Sequence, residues 1–245
     1  MALVCPITRS QFGCAISMGE IETVETALKY HPEWVMGAND LGSNNLHYAA
    51  GSGHTEIVDI LLRFGPIFLV KTQNGLTPLH WASRGGNDLL VDLLLRSREL
   101  WPLTFTDDPV IDIPDNMGRP AILHAAEQNH QSTVELLLQW GSQSFDLWNE
   151  DGQCLLHWAI QHECETIVEM LLRYGTQHLD APDRGGRTPL QLAMDGGNQS
   201  LVTILRAAGA QHDSISEPMD DGTILETRYR IYFSWSLLSA ILRFL

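Results

Sequence analysis

Apolar residues return along this chain at long, regular intervals. Val58, Val91, Val134, Val168 and Val202 stand at equivalent points, each followed by an apolar pair: Leu61-Leu62, Leu94-Leu95, Leu137-Leu138, Leu171-Leu172 and Ile204-Leu205. Steps of three and four residues place the valine and its pair on one face of a helix. A shorter motif precedes each: Gly75-Leu76-Thr77-Pro78-Leu79-His80-Trp81-Ala82 aligns with Gly42 to Ala49, Gly118 to Ala125, Gly152 to Ala159 and Gly186 to Ala193. The steps are 33, 43, 34 and 34 residues, and the pattern predicts two helices per step.

The local chemistry supports both helices. Thr77-Pro78 and Thr188-Pro189 supply an N-cap hydroxyl and a residue whose fixed φ suits the first helical turn. The glycines at 65, 141, 175 and 209 suit a left-handed C-cap after the second helix, and only the second unit lacks one, with Arg98 in its place. One apolar face per helix pair is too small to stand alone, so the units must stack.

These residues resemble the ankyrin repeat, G-x-T-P-L-H-x-A-A-x-x-G-H-x-x-I-V-x-x-L-L-x-x-G, in five units over roughly residues 40 to 211. A worn unit precedes them, since Phe12, Ala15, Gly19, Val24 and Leu28 fall 34 residues before Leu46, Ala49, Gly53, Val58 and Leu62. The resemblance implies an all-α solenoid of stacked helix-turn-helix units joined by β-hairpin-like loops. Residues 1–39 then form an N-terminal cap, and 212–245 a polar loop with an apolar C-terminal capping helix. The 43-residue step carries an insertion near 101–114, expected to be a proline-stiffened finger. Unit three has Pro120 and Leu123 where Thr and His are expected, and unit four has Cys154 for Thr. A lost cap costs about 1 kcal/mol, which makes the middle of the stack the expected weak interface.

Charge narrows the function. Thirty acidic against fifteen basic residues leave −15, which repels nucleic acid and anionic lipid and favours a basic segment on another protein. The two lysines, Lys29 and Lys71, follow no glycine-rich turn, which excludes a P-loop. Four cysteines and no signal-peptide pattern lead to the expectation of an intracellular protein, cytoplasmic or nuclear. The run 231–245 has one charge, Arg243, and is shorter than the ~20 residues of a membrane span, so membrane contact there is the less favoured reading.

Candidate chemistry thins out on inspection. Cys154, His157, His162 and Cys164 could suggest zinc, but His157 stands in the register of His47 and His80, where the ankyrin resemblance implies a backbone hydrogen bond between units. Tyr48, Trp81, Trp158 and Leu192 share a register expected to pack between units. Asp107, Asp108, Asp112 and Asp115 lack the order of a calcium loop and read as a solvated acidic loop. No nucleophile elbow or H-E-x-x-H occurs. We therefore expect no catalytic residues, metal or cofactor.

The resemblance implies a protein-binding scaffold or adaptor that uses hairpin tips and between-helix turns along a groove. The tips are Gln73, Asn74, Leu76, Asn116, Met117, Arg119, Glu150, Asp151, Gln153, Arg184 and Arg187. The turns add Arg84, Glu127, Gln128, Gln161, His162 and Asp195. None of these side chains is expected to be needed by the stack. A regulatory or accessory factor, such as a transcription co-regulator or an auxiliary protein of a biosynthetic pathway, is a second reading. An enzyme with a pocket built by the insertion and the C-terminal segment is a third.

Overall fold

The computed structural model describes residues 7–64, 70–100, 110–144 and 152–211. These fall into two compact units, one within 7–144 and one within 152–211. The finger at 101–109, the capping helix at 212–245 and the tips Glu150 and Asp151 lie outside the described residues.

The first unit is a row of helix pairs: α1 (Arg9–Met18) with α2 (Ile21–Tyr30), α3 (Asn45–Gly51) with α4 (Thr55–Leu62), α5 (Pro78–Arg84) with α6 (Asp88–Leu100), and α7 (Ala121–Glu127) with α8 (Gln131–Gln139). First helices pack on first helices, α1 on α3 on α5 on α7, and second helices on second helices, α2 on α4 on α6 on α8. The core between them is the apolar register read from the sequence: Val24, Val58, Val91 and Val134 are each fully buried. Each small alanine at Ala15, Ala49, Ala82 and Ala125 is buried too, where a larger side chain would hold the neighbouring helix away. The second unit repeats the scheme with α9 (Leu155–Gln161) and α10 (Glu165–Tyr174), α11 (Pro189–Asp195) and α12 (Gln199–Ala207), α9 packing on α11 and α10 on α12.

Helix boundaries follow the cap residues. α5 and α11 begin at the prolines Pro78 and Pro189, and the Thr188 hydroxyl accepts the Gln191 N–H at 3.2 Å. Gly141, Gly175 and Gly209 each take a left-handed φ at the end of a second helix. Where that glycine is missing, at Arg98, the helix does not stop: α6 runs 13 residues against 8 in α4 and 9 in α8.

The hairpin-like loops reduce, among the described residues, to turns and one isolated antiparallel bridge, Ala38 to Asn44. Each turn is closed by a backbone bond across four residues: Asn39 N to Ser43 O, Thr72 N to Leu76 O, Asp115 N to Arg119 O and Asp183 N to Arg187 O, at 2.9–3.0 Å. The described end of the insertion, residues 110–114, lies against the rest of the first unit. Val110–Asp112 forms one 3-10 turn packed against α6, Ile111 is buried, and Asp112 accepts the Ser142 hydroxyl and the Gln143 and Ser144 N–H groups.

Candidate partner-binding surface

In α3, α5 and α9 a buried histidine bonds the helix to the loop that precedes the next repeat. His47 Nε2–H donates to the Leu76 carbonyl at 3.0 Å, His80 to Arg119 at 3.2 Å and His157 to Ala181 at 2.9 Å, the inter-repeat bond the sequence led us to expect. Burial disfavours the imidazolium, so His47 sits below its ordinary pKa, and His80 and His157 are pushed down to about 3 and about 4. In α5 the other ring nitrogen accepts the N–H and hydroxyl of Thr77, and in α9 Cys154 Sγ takes the hydroxyl's place at 3.1 Å. That pairing absorbs the supposed zinc ligands Cys154 and His157. Cys164 donates to the His162 carbonyl, and burial raises its pKa. Among the described residues no group of three or more His, Cys, Asp or Glu is placed to hold a metal.

Of the four aspartates read as a solvated acidic loop, Asp107 and Asp108 lie outside the described residues, and Asp115 is not solvated. Asp115 is only 6% exposed, and its Oδ1 accepts the Met117 and Arg119 N–H groups at 2.9 Å. Its Oδ2 receives His124 Nε2–H at 3.1 Å and the Arg119 guanidinium at 3.0 Å. Burial alone would raise the Asp115 pKa, but the Arg119 N–H, the His124 hydrogen bond and the Arg119 charge outweigh it, leaving it below the usual carboxylate value. Asp183 does the same with Arg187, at 3.0 Å for both the N–H and the guanidinium. Its pKa also falls, as these bonds overcome burial.

Sequence reasoning missed this register and one partner, His124. A legible signal exists: an oxygen-bearing side chain stands three residues before each tip glycine, at Asn39, Thr72, Asp115, Asn149 and Asp183. Asn39 and Thr72 likewise accept their own turn's N–H groups.

The tips are more committed to the fold than expected. The Gln73 N–H donates to the Leu41 carbonyl and the Asn116 N–H to that of Asn74, at 2.9 and 3.0 Å, so successive tips are bonded side by side. The side-chain amides of Gln73 and Asn116 reach back to the Asp40 and Gln73 carbonyls, at 2.5 and 2.7 Å. With Arg119 and Arg187 held by Asp115 and Asp183, and Glu127 facing Arg119 at 3.6 Å, five of the proposed side chains also serve the stack. Leu76 and Gln153 are half-buried. Asn74, Arg84, Met117, Gln128, Gln161, His162, Arg184 and Asp195 are exposed. The structure adds Leu41, which shares the tip register of Asn74 and Met117; Leu41 is 62% and Met117 60% exposed.

The aromatic register packs as expected in the first unit. Trp81 meets Tyr48 edge-on at 6.1 Å between centroids and lies against Gly51, where an added Cβ would sit 2.6 Å from its ring. In the second unit Trp158 stacks on His162 at 4.4 Å. Nearby is a hollow of about 200 Å3 lined by Ile160, Gln161, Glu163, Arg187, Leu192, Ala193, Asp195, Gly196 and Asn198. It is smaller than the ~300–1,000 Å3 of typical small-molecule pockets. Among the described residues no helix is long and apolar enough to cross a membrane.

The family model described as ankyrin repeats (3 copies) matches residues 12–104, 68–146, 103–180 and 122–216, together more than half of the chain. No curated protein matches it. Among solved structures, the ankyrin repeat domain of Bcl-3, described as a unique member of the IkappaB protein family, is 23% identical. That likeness covers 84% of this chain and 88% of that one with a TM-score of 0.73, and it carries the fold.

Proposed function

Because the chain belongs to the ankyrin-repeat family, whose fold is a protein-interaction module, we propose that it is a non-catalytic adaptor gripping a partner protein with its tips and between-helix turns. The observation that carries this is the tip row. Leu41 and Met117 hold large apolar side chains in water on either side of Asn74, on turns already fixed to one another. Folding gains nothing from that exposure, whereas a partner that covers the row removes apolar surface from water, at about 25 cal/mol per Å2. The preformed turns also spare the partner most of the cost of ordering a loop.

Charge chooses the partner's character. The net charge of −15 accelerates encounter with a basic segment and loses that advantage as salt is raised. Asn74, Arg84, Met117, Gln128, Gln161, His162, Arg184 and Asp195 form the contact set, with Leu41 added and Gln73, Asn116, Arg119, Glu127 and Arg187 shaping it from within the fold. In this reading the protein works in the cytoplasm or nucleus.

The test is affinity purification of the tagged full chain beside a Leu41→Ser, Met117→Ser, Asp195→Ala variant whose helical signal and melting match the parent. Loss of about tenfold or more in recovery of the co-purifying protein, some 1.4 kcal/mol, is expected. Undiminished recovery would move the site off these faces.

A further inference from the structure

Glu163 occupies a place that is glycine in four of the five aligned units. It aligns with Gly19, Gly53, Gly86, Asn129 and Gly197, all in the left-handed region between the paired helices, and it holds φ at 55°. A side chain with a Cβ is strained there by about 1 kcal/mol or more, and backbone strain of this kind gathers at functional sites. The residue that bears the strain places a carboxylate on the rim of the hollow in the second unit.

The hollow has an apolar floor, Ile160, Leu192 and Ala193, each less than 8% exposed. Its rim carries the exposed carboxylates Glu163 and Asp195 and the exposed amide Gln161. Its one cationic lining residue, Arg187, is bonded to Asp183 at 3.0 Å, so the pair adds no net positive charge. The N-terminus of α12 beside it is capped, because Asn198 Oδ1 accepts the Leu201 N–H at 3.1 Å. An apolar base under an anionic rim matches an aliphatic stem ending in a cation.

We propose that this hollow is a socket for one lysine or arginine side chain of the partner's basic segment, with the stem on Ile160 and Leu192 and the charge between Glu163 and Asp195. This rests on the protein-binding reading and names the chemistry that the second unit recognises. A volume of about 200 Å3 suits a single side chain better than a whole cofactor.

The test uses the full chain labelled with 15N and, as probes, N-acetyl-arginine methylamide, the lysine equivalent, the leucine equivalent and Ca2+. We expect saturable amide shifts confined to 160–164 and 193–198 with the arginine or lysine probe, none with leucine, and weakening at 0.5 M NaCl. The variant Glu163→Gly with Asp195→Asn, which restores the glycine of equivalent turns and so keeps its fold, should weaken them at least tenfold. Shifts spread over the acidic surface, unchanged in the variant, or produced by Ca2+ and not by the cationic side chains would overturn the socket. A chain that captures its partner undiminished while showing no local shifts would overturn the socket alone and leave the protein-binding reading standing.

Discussion

The Nε2–H of His80 donates to the carbonyl oxygen of Arg119 at 3.2 Å, tying α5 to the turn of the following repeat. The same Arg119 carries the guanidinium held by Asp115, and Asp115 accepts from His124, so one chain of bonds runs from helix to tip to helix. The tip at Arg119 is thus anchored by buried groups that satisfy one another.

Replacing Asp115 with Ala should therefore be severe. It strands two backbone N–H groups, the His124 donor and a partly buried guanidinium at once. A loss on the order of 3 kcal/mol is expected from the first unit, read as a lower urea midpoint. Asp112→Ala, which removes only the acceptor for Ser142 and its two neighbouring N–H groups, should cost less. Equal losses would show that the His124 and Arg119 links contribute nothing.

Acid should weaken the fold well above the carboxylate range. The unfolded chain takes up protons on its imidazoles as pH falls through 6.5, while folded His80 and His157 resist until about 3 and about 4. Their contribution is thus complete above pH 6.5 and drains away between there and the folded values. The maximum slope is ~1.4 kcal/mol per pH unit for each. Asp115 and Asp183 have depressed values, so their contribution holds as pH falls to about 3.8 and is lost only below it. Urea midpoints at pH 7.5, 6.0 and 4.5 should fall steadily, and a flat profile would contradict neutral buried imidazoles.

Gly51→Ala sets two effects against each other. Alanine in a helix gains about 1 kcal/mol over glycine, yet its Cβ would sit 2.6 Å from the Trp81 ring. Displacing a packed indole costs about 1–3 kcal/mol, so net destabilisation is expected in thermal melts. Any gain would mean that Trp81 is free to swing aside.

Glu163→Gly should do the reverse and stabilise the second unit by about 1 kcal/mol, by relieving a left-handed φ. Differential scanning calorimetry of parent and variant decides it. A lower melting temperature would show that the Glu163 side chain holds the fold.

The helix pairs were legible because stacking repeats one solution and writes it into the sequence several times; Val58, Val91 and Val134 announce a buried register by recurrence alone. The same argument placed His157 in the register of His47 and His80, whose inter-repeat bond it shares. Asp115 was missed because it was grouped with its acidic neighbours, when its meaning lies in its distance from Gly118. His124 was hidden because unit three shifts its histidine by one residue, out of the expected register and onto the Asp115 carboxylate. Gln73 and Asn116 were assigned to a partner alone because sequence shows that a tip is polar, and not that its amide bonds the tip beside it.

The most direct measurement places a photo-crosslinking amino acid, in turn, at Asn74, Gln161, Ser132 and Glu169 of the full chain in its native cells. All four positions are exposed: Asn74 on a tip, Gln161 the last residue of α9 before the between-helix turn, and Ser132 and Glu169 on second helices. One and the same protein trapped from Asn74 and Gln161, and not from Ser132 or Glu169, is the predicted result. Trapping only from Ser132 or Glu169 would contradict the account.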